Sequence, residues 1–177
     1  MSAIERAERG ERTLSIDEMT GIQALERCAP DQAIRPGGRE RQEFEYIRHG
    51  TQTLIASFDV ATGRIAKGTV GDTRTEADFL AHLQSLIATD PNATQWHLVM
   101  DCLNTHQSES LVRYVAELDG LDIDLGVKGQ SGILKSMATR AAFLKETTHK
   151  VVFHFTPKHC SWLNQIEIWF SILVRKL

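Results

Sequence analysis

Gln95-Trp96-His97-Leu98-Val99-Met100-Asp101 reads as a short apolar strand that closes on an acid. Its flanks decide what kind of sheet it enters. Upstream, Phe79, Leu83, Leu86 and Ile87 recur at i, i+4, i+7 and i+8, a helical period. Thr73 and Glu76 have the spacing of a capping-box pair at the start of that helix, and Asp90-Pro91-Asn92 ends it. Downstream, Ser108 to Leu118 repeats the pattern with Leu111, Val112, Val115 and Leu118 on one side, and Asp119-Gly120 breaks it. A strand between two amphipathic helices belongs to an α/β sheet, and an acid at its carboxyl end stands where ligands and metals reach such sheets.

Further out, Thr51 to Asp59 and Arg64 to Val70 are β-branched and apolar runs joined by Ala61-Thr62-Gly63, a hairpin signal. Arg12 to Asp17 is another strand, which Ile22 to Arg27 extends or pairs with, and Phe44 to Arg48 is extended. Between them, Cys28 to Arg41 holds Pro30, Pro36, Gly37 and Gly38 and reads as a long loop. After a glycine-rich stretch, Gly126 to Gly132, a helix is expected from Ile133 to Lys145 and a strand from Lys150 to Phe155. Thr156-Pro157 turns the chain, and a last helix begins near Ser161. Residues 1 to 11 are polar and charged and read as a disordered or frayed start. The order is strand, hairpin, helix, strand, helix, strand, helix: an α/β mixed sheet with helices on both faces.

A chain of 177 residues is one domain by size, and a 42% hydrophobic content suffices for one sizeable core. No run of 18 apolar residues is present, so no membrane span is expected. Met1 to Arg12 lacks the apolar core of a secretory signal. Three cysteines are an odd number without framework spacing, which points to a reducing, cytoplasmic setting. From Val127 onward, eight Lys or Arg stand against two acids, in a chain of net charge −3. A basic segment beside an acidic site suits a surface that follows phosphates while carboxylates hold metal.

Three acids carry that chemistry. Asp17 ends Thr13-Leu14-Ser15-Ile16-Asp17-Glu18, and strand alternation turns Glu18 to the opposite face. Asp101 is followed by Asn104, Thr105 and His106, a polar cluster before the next helix. At 100° per residue, Trp162, Leu163, Ile166, Trp169, Phe170, Leu173, Val174 and Leu177 fall within an arc of about 140°, and Glu167 lies roughly 90° from its centre, at the boundary of the buried face. Two magnesium ions held by such acids, roughly 4 Å apart, stabilise the attacking and leaving oxygens of a phosphodiester. Competing constellations are weaker. Cys102, His106, His154, His159 and Cys160 lack the spacing of a structural zinc site. Neither Cys102 nor Cys160 carries a mark of an activated thiol. Gly126 to Gly132 lacks the order of a phosphate loop and reads instead as a basic loop against a DNA backbone.

Asp17-Glu18-x-Thr-Gly, Met100-Asp101-Cys102-Leu103-Asn104-Thr105-His106 and Ser161-Trp162-Leu163-Asn164-Gln165-Ile166-Glu167 together make the chain resemble a known family. It is similar to the catalytic domain of bacterial insertion-sequence DDE transposases of the mariner-like superfamily, over residues 12–177. The last motif is highly specific, the middle one specific, the first moderately so. The resemblance implies a ribonuclease-H-like fold and a triad of Asp17, Asp101 and Glu167 that both binds metal and catalyses. It implies two Mg²⁺ ions (Mn²⁺ in substitution), double-stranded DNA as element end and target, a homodimer in the active complex, and a cytoplasmic, DNA-associated location. In this chemistry a metal-activated water cuts the element ends, and the freed 3′-hydroxyl attacks target DNA. Glu18, Asn104, His106, Lys128, Lys135, Lys158 and Asn164 are candidates for touching DNA or supporting the acids.

Three departures from the family pattern stand out. Cys102 occupies the position after the second acid, where Asn is common. The gap from 102 to 166 is long, with 126–148 read as an insertion. No helix-turn-helix module precedes Asp17, so recognition would fall to a separate N-terminal part. The last helix meets no stop signal before Leu177, which reads as C-terminal truncation. The alternatives are an inactive transposase remnant that only binds DNA, and a ribonuclease-H-like nuclease without strand transfer.

Overall fold

The computed structural model describes residues 1–29, 45–158 and 160–175. Five strands form one sheet: β1 (Glu11–Arg27), β2 (Tyr46–Asp59), β3 (Arg64–Gly71), β4 (Gln95–Met100) and β5 (Val151–Phe155). Their order is β3-β2-β1-β4-β5. The pairs β1–β2 and β2–β3 are antiparallel, whereas β4 pairs parallel with both β1 and β5. Parallel neighbours need crossover connections. Helix α2 (Glu76–Ile87) lies on the path into β4, and α3 (Glu109–Leu118) and α4 (Met137–Leu144) lie between β4 and β5. This is the mixed, ribonuclease-H-like sheet that the element order and the resemblance imply.

Side-chain alternation splits the sheet into two faces. Leu14 and Ile16 of β1, Ile55 of β2, Trp96, Leu98 and Met100 of β4 and Val151 and Phe153 of β5 are buried against Phe79, Leu83 and Leu86 of α2, Leu111 and Val115 of α3 and Leu144 of α4. On the other face a small cluster of Ala56, Ile166 and Phe170 packs α5 (Ile166–Val174) against β1 and β2.

Several local expectations are revised. Residues 3–7, read as part of a frayed start, form a short helix α1 (Ala3–Ala7), its N-terminus closed by a capping box between Ser2 and Glu5. The capping box of α2 is Thr75 with Asp78, not Thr73 with Glu76. Both pairs have the required spacing, but Glu76 instead accepts the Ser110 N–H at 3.0 Å, tying α2 to α3. The helix expected over Ile133–Lys145 is interrupted at Ser136, whose extended backbone caps α4 after a 3₁₀ turn at Ile133–Lys135. Of the two readings of Ile22–Arg27, extension of the first strand is the one found. Strand β1 continues to Arg27 through an irregularity between Met19 and Ile22, where Gly21 takes φ +72°. Most of the loop expected over Cys28–Arg41 lies outside the described residues.

The last helix differs most. A 3₁₀ turn occupies Ser161–Leu163, and α5 itself starts at Ile166. The expected apolar arc therefore breaks: Trp162 is 70% exposed, Leu163 and Val174 are exposed, and among the described residues of the arc only Ile166 and Phe170 are buried. A 3₁₀ turn advances three residues per turn, so side chains before Ile166 leave the stripe that a continuous α-helix would have made.

Candidate active site

The parallel register of β1 and β4 brings the first two acids together. Ser15 pairs with Val99, so two residues further along each strand Asp17 and Asp101 stand at the same level. Asp17 is buried on the α5 face, beside its β2 partner Ala56. Asp101 follows the last residue of β4 and is half-buried. Glu167, in the first turn of α5, is half-buried in a groove with Met19, Thr20 and Phe170.

Each acid has a distinct environment. Asp17 Oδ1 accepts the Glu18 N–H at 2.8 Å, and Oδ2 accepts the Asn164 amide at 3.3 Å. Burial, followed by the charges of Asp101, Glu18 and Glu167, pushes the Asp17 carboxyl up to about 6, against the lowering by the Glu18 N–H. Asp101 goes the other way. Burial alone would raise it, but hydrogen bonds from His106 and the Leu103 N–H, with the charges of His106 and Arg74, hold it below the usual carboxylate range. His106 is wholly buried between two acids, with Nδ1 2.8 Å from Asp101 Oδ1 and Nε2 3.0 Å from Glu18 Oε1. Burial disfavours its charged form, yet the bonds and charges of Asp101 and Glu18 outweigh that and push the ring up to about 9.

Asn164 links the start of α5 to β1. It is fully buried; its side-chain oxygen meets the Ser15 hydroxyl, and its amide donates to the Ile16 carbonyl at 2.9 Å. The Ile166 N–H also bonds Ser15 Oγ at 2.9 Å. Asn164 thus touches the first acid while anchoring the helix that carries the third.

Ser15 is a residue that sequence reading passed over. Its signal was its place two positions before Asp17, on the same face of the strand. Arg74 was missed as well; it lies in the segment leading into α2, and nothing local marks it as near Asp101. Cys102 turns away from the acids, its thiol 3.1 Å from the Thr156 carbonyl, so it joins the ends of β4 and β5. The other candidates stay outside this group. Lys128 sits 3.7 Å from Glu109, and Asn104, Lys135 and Lys158 are exposed.

Carboxylate oxygens are the hard ligands that Mg²⁺ and Mn²⁺ prefer, and Asp17 is raised first by its burial and then by the charges of Asp101, Glu18 and Glu167. Among the described residues, no three His, Cys, Asp or Glu side chains are drawn into a common coordination sphere. Asp17 spends both carboxylate oxygens on internal hydrogen bonds, and Asp101 spends Oδ1 alone.

Residues 12–177 match the family model of the DDE superfamily endonucleases, and the chain belongs to that family. Among solved structures it is similar to the Mos1 mariner paired-end complex with Mn, at 16% identity and TM-score 0.39, covering 96% of this chain and 52% of that one. It is also similar to the Mos1 strand transfer complex, at 13% identity and TM-score 0.36, covering 95% and 50%. The N-terminal RNase H domain of rv2228c from Mycobacterium tuberculosis matches at 10% identity and TM-score 0.31, covering 87% of each chain. The chain spans about half the length of the Mos1 chains. No curated protein is matched. Among the described residues no helix is long and apolar enough to cross a membrane.

Proposed function

We propose that this chain is the catalytic domain of a DDE transposase that cuts double-stranded DNA at the ends of a mobile element and joins the freed end to target DNA. Asp17, Asp101 and Glu167 are the acids that hold a pair of divalent cations, Mg²⁺ or Mn²⁺. The observation that carries this reading is the β1–β4 register, in which Asp17 and Asp101 stand level, with Asn164 and the Ile166 N–H tying the start of the Glu167 helix to the same stretch of β1. Asp17 feels the charges of Asp101 and Glu167 in addition to the larger effect of its own burial.

Cations bound there would stabilise the attacking and leaving oxygens of an in-line displacement. The chain's own residues prepare the place. His106 keeps Asp101 ionised, Asn164 orients Asp17 and anchors the start of α5, and Glu167 enters from the groove on the α5 face. Exposed Lys135 and Lys158 are the residues that meet the DNA backbone, with a contribution that weakens as salt rises. The active complex is a homodimer on paired ends, and sequence recognition belongs to a helix-turn-helix part outside the described domain.

The test is incubation with supercoiled plasmid in Mg²⁺ or Mn²⁺, sequencing the junctions formed. Joined products that vanish in Asp101→Asn support transposition. Cut ends without junctions indicate a nuclease, and DNA binding with neither product indicates a remnant.

A further inference from the structure

We propose that Glu18 and His106 are positioning residues that fix which oxygen Asp101 presents to a cation. The inference rests on the reading of Asp101 as a cation-binding acid.

Adjacent carboxylates in β1 serve two different acids by strand alternation. Asp17 faces α5, whereas Glu18 shares the opposite face with its β2 partner Ile55. There its side chain is only 2% exposed and meets His106 Nε2 at 3.0 Å. The His106 ring packs against Phe79, with centroids 4.5 Å apart, and its Nδ1 lies 2.8 Å from Asp101 Oδ1 and 3.3 Å from the Asp101 carbonyl. A carboxylate offers only acceptors, so an imidazole with one at each nitrogen donates from both. The ring cannot turn without breaking a buried bond at one end.

The consequence falls on Asp101. Both donors that reach its carboxylate, His106 and the Leu103 N–H at 3.0 Å, meet the same oxygen, Oδ1. Among the described residues no hydrogen bond engages Oδ2, which is thereby the oxygen left for a cation. Glu18 bears a cost for this role: its Oε2 is buried without a partner. A carboxylate kept there despite an orphaned oxygen is explained by what its other oxygen holds.

Two measurements on the whole chain test the bridge. In Mn²⁺ titration followed by the electron paramagnetic resonance of free Mn²⁺, Asp101→Asn loses binding. His106→Ala and Glu18→Ala weaken it about ten- to a hundred-fold, the size seen when partners of metal ligands are removed. Glu18→Gln keeps an oxygen towards Nε2 and recovers most of the affinity. Leu86→Ala, in the core of α2, loses stability but binds Mn²⁺ like the wild type. Nitrogen-15 spectra without metal show two protected ring N–H protons on His106, and Glu18→Ala loses the one on Nε2.

Wild-type affinity in His106→Ala and Glu18→Ala while Asp101→Asn fails overturns the bridge and leaves the cation reading intact. A single protected ring N–H in the wild type overturns it as well, whatever the metal does. Asp101→Asn binding like the wild type, or a wild type that ignores Mn²⁺, removes the cation reading and this inference with it.

Discussion

The two faces of the sheet are built for different ends. Under α2, α3 and α4 lies a closed apolar layer in which Leu14, Trp96, Leu98 and Phe153 have no exposure. Under α5 the buried apolar group is Ala56, Ile166 and Phe170, and the neighbouring strand positions are Ser15, Asp17 and His97. Polar groups on that face are sustained by specific bonds: Ser15 to Asn164, His97 to Glu11 at 3.1 Å and to His154 at 3.0 Å. Apolar contact is non-directional and tolerates change gradually. A buried hydrogen-bonded group fails all at once when its partner goes. One face therefore supplies most of the stability, and the other gives up packing to place acids.

The contrast is broken most severely on the apolar face. Trp96→Ala, at a residue with no exposure, is expected to lower unfolding stability by about 3–5 kcal/mol, read from urea denaturation at fixed pH. Equal stability in the variant would mean that the helical face does not carry the core.

The same face holds two buried histidines of opposite proton state, which sharpens the comparison. His82 joins α2 to the hairpin, its Nε2 2.7 Å from Ser57 Oγ and its Nδ1 2.8 Å from Thr69 Oγ1. Burial, then the charge of Lys67, pushes it down to about 4. A histidine kept neutral in the fold and basic when unfolded contributes stability above its unfolded value near 6.5, and loses it as pH falls towards 4. The loss is about 3 kcal/mol, on the order of two and a half pKa units. His106 has the reverse sign: raised to about 9, its contribution is present below 6.5 and is lost as pH rises through 9. Melting temperature against pH checks both arms. In His82→Gln the acid-side slope between 6.5 and 4 should flatten while the alkaline arm remains.

On the α5 face the expected effect is smaller in stability but selective in place. Asn164→Ala leaves the Ser15 hydroxyl and the Ile16 carbonyl short of a partner, at a cost of about 1–3 kcal/mol. Hydrogen exchange should rise first in α5 and only later in α2 and α3. Uniform loosening of all helices would contradict the division between the faces.

Much of the fold was legible because its signals are local. Apolar and β-branched runs marked β2, β3, β4 and β5, and period-3.6 runs marked the helices α2 and α3, these two to within a residue or two of their ends. Alternation alone sent Asp17 and Glu18 to opposite faces. Less was legible where one residue had two uses. Glu76 fits a capping box by spacing but is taken by Ser110, 34 positions away. The stripe on the last helix presumed one continuous period, and the 3₁₀ turn at Ser161–Leu163 removed Trp162 and Leu163 from it.

By itself the chain determined the succession of elements, the face each strand residue takes and the acids worth suspecting, because these follow from backbone periodicities that extend over a few residues. Only the tertiary structure decided that β1 lies between β2 and β4, that Asn164 reaches Ser15 across 149 positions, and that Glu18 meets His106 across 88. The physical reason is that hydrogen bonds and charge repulsion act over a few ångströms of space, whatever the distance along the backbone. Their partners are chosen by packing, which no local pattern encodes.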